Sequence, residues 1–251
     1  GPRHALAVAR ALHAEFPRVT FDITAKVEHL LARRRDLPEL AALGCIFFVS
    51  AVESLSDTVL LHLDKGHTAN DIREALAVVH ETGVALRPTW VAFTPWTTLP
   101  DYRAMLDFIE TEDLVHHVDP VQFSVRLLVP PGSLLLDSPA MRPHLGPLVA
   151  DAFHYKWTHP DPRMDALHAK VSSLVSKAAA PASRRAETDR SVVLLKRANR
   201  GPGGPHGTRV AVTPQLERLR GELDEARRRA HEIAGALASS QLSKVGPKLK
   251  L

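Results

Sequence analysis

The chain holds a single cysteine, Cys45, among its 251 residues. That excludes a disulfide framework, and it excludes a thiolate-rich zinc or iron–sulfur site built by these residues alone. No apolar run approaches the roughly 18 residues of a membrane span, so no membrane partner is expected. No secretory signal pattern follows Gly1, and the sequence reads as that of a soluble, cytoplasmic protein. No internal repeat of fixed period is present. Fourteen histidines occur, yet none stands in an H-E-x-x-H or H-x-E-x-H spacing. The neighbours His116 and His117 cannot face one site from a strand, and a capped turn before a helix explains His159, Asp161 and Asp165 better than a metal does. No metal ligand is assigned.

What is present is the composition of a globular protein, with 45% hydrophobic and 24% charged residues. The net charge of +4 is unevenly placed. Residues 1–183 carry 17 Lys and Arg against 21 Asp and Glu, a balance of −4; residues 184–251 carry 15 against 7, a balance of +8. A basic end of this kind is ordinarily a solvated one. No nucleic-acid motif accompanies it, so nucleic acid is not assigned as a partner.

The first 130 residues alternate between two patterns. HALAVARALHAEF (4–16) has helical apolar spacing and stops at Pro17. VTFDIT (19–24) is β-rich. VEHLLARRR and LPELAALG are helical pieces closing at Gly44, and CIFFV (45–49) is an apolar strand. SDTVLLHLDKG is a short helix with Ser56 or Asp57 as N-cap. HTANDIREALAVVHETG (67–83) is a strong helix, with Thr68 and Asp71 as a capping box and Gly83 as its stop. VALRPTWVAF (84–93) is a strand, LPDYRAMLDFIE (99–110) a helix with Pro100 in its first turn, and VQFSVRLLV (121–129) a strand ended by Pro130, Pro131 and Gly132.

Strands separated by helices require crossovers, so the sheet is parallel. The expected fold is α/β: a partial (β/α) barrel over 1–140 with about four parallel strands, one edge unpaired and one face partly bare. Helices follow in a C-terminal extension of the core over 141–180, one of them from about Pro162 to about Ala180. Residues 181–213, rich in Pro, Gly and Arg, read as a disordered linker. Leu216, Leu219, Leu223, Ala226, Ala230, Ile233 and Leu237 form a heptad seam in a helix over 214–240, with a helical partner or the protein's own body as what it packs on. Residues 241–251 are a basic tail.

Parallel α/β folds place ligands at the carboxyl ends of their strands. The first strand ends near Lys26 and the second at Ser50 and Glu53. The third contains Arg87 and ends at Thr94 and Thr97, and the last holds Gln122, Ser124 and Arg126. Polar strand ends are ordinary where loops begin. Glu53 stands out, because a carboxylate right after CIFFV is costly unless solvated or paired, and an ionised carboxylate can accept two hydrogen bonds from a diol. Lys65 lies at a helix C-terminus, where a cation is favoured in any case, and it could also serve as a point charge for a carboxylate or phosphate. His67 reads as a turn or cap residue.

SAVESLSDTVLLHLDKGHT resembles the G-x-E-S…D-x-V-L…L-x-K-G-H-T stretch of radical SAM proteins, which spans their fourth barrel strand and the next helix. GVALRPTWVAFTPWTTLPDYRAMLDFI resembles their fifth strand with its G-x-P-x-x-T turn, VQFSVRLLVPPGS the sixth, and GPRHALAVARALHAEFPRVTFDITAKVEHL the segment through the third. The resemblance covers about residues 1–180 and leans toward the subgroup with a Cys/selenocysteine-Cys-Ala-Glu-Pro-like tail. It implies that Glu53 grips the ribose of S-adenosylmethionine, that Lys65 meets its methionine carboxylate, and that the turn from Thr94 to Thr97 lies near the adenine. Ser50 and Lys26 fall on the cofactor side, and Arg87, Gln122, Ser124 and Arg126 on the substrate side, toward an unidentified small molecule or peptide. It further implies a [4Fe–4S] cluster that reduces S-adenosylmethionine to a radical able to abstract hydrogen. The family's C-x-x-x-C-x-x-C loop and the Cys-Ala-Glu-Pro tail are both missing here, and Ala51 and Thr94 stand at family glycines. The chain alone is therefore expected to be inactive. Two other readings stay open: a different barrel enzyme holding an anion through Lys26, Arg87 and Arg126, and a non-catalytic partner-binding protein using the C-terminal helix.

Overall fold

A computed structural model describes residues 2–176 and Arg228. The linker, the heptad helix and the basic tail expected beyond residue 180 lie outside the described residues. Helix α1 (Pro2–Glu15) leads to strand β1 (Phe21–Thr24), short helices α2 (Val27–Ala32) and α3 (Leu37–Ala42), and strand β2 (Cys45–Glu53). Helices α4 (Asp57–His62) and α5 (Ala69–His80) precede strand β3 (Ala85–Trp90), which is followed by helix α6 (Leu99–Thr111). Both capping boxes form: Thr68 with Asp71 on α5, and Thr98 with Asp101 on α6. Ser56 is the N-cap of α4 but makes no side-chain cap bond; the neighbouring Asp57 carboxylate accepts instead from the Ala69 amide at 2.8 Å.

The sheet is parallel, in the order β1-β2-β3. Its two faces follow from the two-residue period of a strand. Phe48, Ser50 and Val52 of β2 and Leu86, Pro88 and Trp90 of β3 are buried, and most of them share one core with Leu30, Ile72, Val79, Leu106 and Ile109 of the helices. Asp22 and Thr24 of β1, Phe47, Val49 and Ala51 of β2, and Arg87 and Thr89 of β3 are exposed or half-buried, and the register joins them as one face. Parallel sheets are usually covered on both sides. Among the described residues one face is covered by helices, and the residues of the other are exposed or half-buried.

The fourth strand is a correction. Residues Pro120–Ser124 form a 3-10 helix, and the extended chain after it makes a single parallel bridge, Phe93 to Arg126. Two hydrogen bonds hold that bridge, from the Phe93 amide to the Val125 carbonyl at 3.0 Å and from the Leu127 amide to the Phe93 carbonyl at 2.8 Å. Three strands thus pair in full and the fourth position is reduced to one rung. Pro120 has no amide hydrogen to give a ladder, and its fixed φ suits the first turn of a helix.

The region after 140 also departs from expectation. It contains an antiparallel hairpin, β4 (Leu145–Val149) and β5 (His154–Trp157), before α7 over 162–176. The hairpin and the preceding loop close a second small core of Val129, Met141 and Trp157. Among the described residues no helix is long and apolar enough to cross a membrane.

Candidate functional site

Strand β2 does not end in a simple loop. Its register with β3 shifts between Ala51 and Glu53, so Glu53, not Val52, opposes Trp90. Glu53 takes φ +67°, and the Ser54 amide donates back to the Val52 carbonyl at 2.9 Å. A bond between residues two apart around a positive φ is the rare, strained form of γ-turn. For a residue with a Cβ such backbone costs about 1–3 kcal/mol. The turn leaves the Glu53 carboxylate at the carboxyl end of the sheet, only 17% exposed.

The partner of that carboxylate comes from the turn after α4. The Lys65 amide donates to the Leu60 carbonyl at 3.1 Å, and the flanking residues Asp64 and Gly66 both adopt positive φ, at 49° and 69°. This chain reversal aims Lys65 Nζ at Glu53 Oε1, 2.9 Å away. The ion pair satisfies a half-buried charge from each side. The second carboxylate oxygen and two of the three ammonium hydrogens keep capacity for a ligand. The turn is itself fixed by the Thr68–Asp71 box and by Asp57 on the Ala69 amide. Thr68 donates to Asp71 through both its amide and its hydroxyl, which holds the Asp71 carboxyl below the usual range.

The other sequence-predicted residues occupy separate positions. Ser50 is fully buried on the helix-covered face, and its hydroxyl has no hydrogen-bond partner among the described residues. Lys26 pairs with Glu28 at 3.1 Å, and that bond lowers the Glu28 carboxyl from its ordinary range. Thr94 and Thr97 are buried and bond each other through their hydroxyls at 2.8 Å, closing the turn between β3 and α6. Arg87 lies over the Phe47 ring at 3.8 Å on the sheet face opposite Ser50. Gln122 accepts from the Trp90 amide at 2.8 Å, and the Ser124 hydroxyl donates to the Val121 carbonyl at 3.0 Å. Arg126 bonds Asp165 at 2.8 Å and the Trp157 carbonyl at 2.9 Å. Glu53 and Lys65 are thus joined. Lys26, Arg87 and Arg126 each meet a different partner and do not converge on one anion.

Two residues not assigned to the ligand site from the sequence border the pair, Glu28 and His67, the latter read there as a turn or cap residue. Glu28 reaches the turn from α2: a Cβ on Gly66 would lie 3.4 Å from its Oε2. His67 is buried, with Nε2 3.3 Å from the Val52 carbonyl. The signal for His67 was its place in Lys-Gly-His-Thr, next to Lys65 across one glycine. Among the described residues no three His, Cys, Asp or Glu side chains converge as a metal site.

No family model matches the chain, and no curated protein matches it. Solved structures do. A cobalamin-dependent S-adenosylmethionine radical enzyme, OxsB, with aqua-cobalamin bound superposes with TM-score 0.66 at 14% identity over 91% of this chain. The same enzyme with aqua-cobalamin and S-adenosylmethionine bound gives 0.67 at 13% identity over 95%, and its apo form 0.65 at 14% over 91%. The chain spans 36–39% of those proteins. At this identity the likeness shows the fold alone, an α/β arrangement similar to that of part of those enzymes.

Proposed function

We propose that the chain is the portion of a radical SAM protein that grips S-adenosylmethionine, nearest to the subgroup with a Cys/selenocysteine-Cys-Ala-Glu-Pro-like tail. The observation that carries the proposal is the Glu53–Lys65 pair, placed by a strained turn at the carboxyl end of β2. A ribose presents two neighbouring hydroxyls, and a carboxylate is the acceptor suited to a diol. A methionine carboxylate is an anion, and the ammonium of Lys65 is a compact cation with donors left over. The turn holding Thr94 and Thr97 would border the adenine. The domain reading of a core over 1–180 followed by a linker, a heptad helix and a basic tail belongs to the same proposal.

The residues present fit S-adenosylmethionine and do not fit a [4Fe–4S] cluster. A cluster of that type is held by several thiolates. This chain has only Cys45, which is buried and whose thiol burial pushes up to about 11. No cleavage step is assigned to the chain alone; its own residues bind and orient the cofactor, and the substrate is a small molecule or peptide met by other parts of the enzyme.

Isothermal calorimetry with S-adenosylmethionine and with adenosine tests this. Glu53→Gln should weaken both ligands, whereas Lys65→Met should weaken S-adenosylmethionine at least about tenfold and leave adenosine nearly unchanged. Wild-type chain that binds neither ligand, or binding that both substitutions leave intact, would sink the reading.

A further inference from the structure

The Val52 carbonyl receives two donors. One is the Ser54 amide at 2.9 Å, which closes the γ-turn around Glu53; the other is His67 Nε2 at 3.3 Å. A carbonyl only accepts, so Nε2 must carry the ring hydrogen. His67 Nδ1 is buried and has no hydrogen-bond partner among the described residues, so nothing competes for the opposite tautomer. On the far side of the turn, the Val91 amide donates to the Glu53 carbonyl at 3.0 Å. The peptide units on both sides of Glu53 are therefore fixed, one by β3 and one by His67. The same six-residue turn between α4 and α5 that supplies Lys65 to the carboxylate supplies His67 to the backbone behind it.

We infer that His67 is the positioning residue of Glu53: by donating from Nε2 to the Val52 carbonyl it holds the positive-φ turn that aims the Glu53 carboxylate at the ligand. This rests on the reading of Glu53 as a ribose acceptor, but the geometric part is separate from it. A two-residue hop from Lys65 to His67 spaces the pair so that both grip one strand end. A Glu in left-handed backbone otherwise relaxes toward φ below zero, which costs less.

The first test needs no substitution. Long-range ¹H–¹⁵N NMR of the wild-type imidazoles should show His67 as the Nε2–H tautomer. A bare Nε2 would overturn the inference, because it cannot donate to a carbonyl. The second test compares His67→Phe, which has no donor, with His67→Gln, whose amide nitrogen reaches as far as Nε2. In His67→Phe, the Ser54 amide should lose exchange protection and the Glu53 HN–Hα coupling should shift to a negative-φ value, while the β3 amides stay protected. His67→Gln should restore both signals. S-adenosylmethionine affinity should fall about tenfold in His67→Phe and return in His67→Gln. An unchanged Glu53 coupling in a folded His67→Phe would overturn the positioning role. If wild-type chain binds no S-adenosylmethionine, the functional reading fails, and the tautomer and coupling still decide the role of His67.

Discussion

The guanidinium of Arg126 lies 3.5 Å from the ring centroid of Trp157. It also donates to Asp165 on α7 at 2.8 Å and to the backbone carbonyl of Trp157 at 2.9 Å. One planar cation thereby ties the bridge beside Phe93, the hairpin and the last described helix together. A lysine would keep the charge and lose the fork and the stack. Arg126→Lys should cost about 2 kcal/mol in urea unfolding, nearly as much as Arg126→Met. Near-complete retention of stability in the lysine variant would mean that charge alone holds the joint.

His168 on α7 gives the fold a pH dependence. Burial, and next the Arg126 cation, lower its pKa from the ordinary 6.5; the Ser124 backbone and Asp165 act in the opposite direction. Its ring also meets Phe93 edge-on at 4.9 Å, and Nε2 lies 3.2 Å from the Ser172 hydroxyl. A depressed histidine means that the unfolded chain takes up the proton first. The stability it contributes is full above about pH 6.5 and is lost as pH falls toward the lowered folded value. Wild-type Tm should fall from pH 7.5 to 5.5 more steeply than that of His168→Gln. Parallel Tm curves for the two proteins would contradict this.

Gly44 sits between α3 and β2 with φ +107°, and a Cβ there would lie 2.8 Å from the Val19 carbonyl oxygen. The obstacle is backbone, so it cannot swing aside. Gly44→Ala should destabilise the protein by about 2 kcal/mol or more. Gly83→Ala meets nothing within 4 Å but keeps the strain of φ +72°, so it should cost less. Denaturant midpoints of the two variants check the order.

Burial leaves Cys45 as a thiol, with its pKa pushed up to about 11. A disulfide reagent at pH 8 should leave it unmodified in the native protein and should modify it fully in guanidinium chloride. Fast native modification would show that the start of β2 opens readily.

The alternation of helices and strands through residue 111 was legible because it rests on local signals: periodic apolar residues, two capping boxes, and glycines at turns. The shortfall lies where tertiary pairing decides. VQFSVRLLV has the composition of a strand, yet only the rung at Phe93 and Arg126 pairs, since the chain enters it through Pro120 as a 3-10 turn. The hairpin over 145–157 carries Pro147 and an exposed Phe153 with φ 52° at its corner, neither of which advertises β structure. Within the site, Glu53 and Lys65 could be singled out by their cost and position. Ser50 could not be assigned a face until the register was known, and Gln122 and Arg126 look like ligand groups in sequence because their backbone partners are far away along the chain, whereas Ser124 bonds the Val121 carbonyl in its own 3-10 turn.

Each strand of the main sheet pairs with the strand that follows it in the chain, β1 with β2 and β2 with β3. During synthesis at about 5–20 residues per second, the sheet can be laid down in the order in which it emerges. The Glu53 turn is then completed only after Lys65, His67 and finally Val91 have left the ribosome, so the strained corner is the last part of the β2–β3 pairing to set. A pause in translation before residue 91 would hold the nascent protein with two strands joined and Glu53 free to relax.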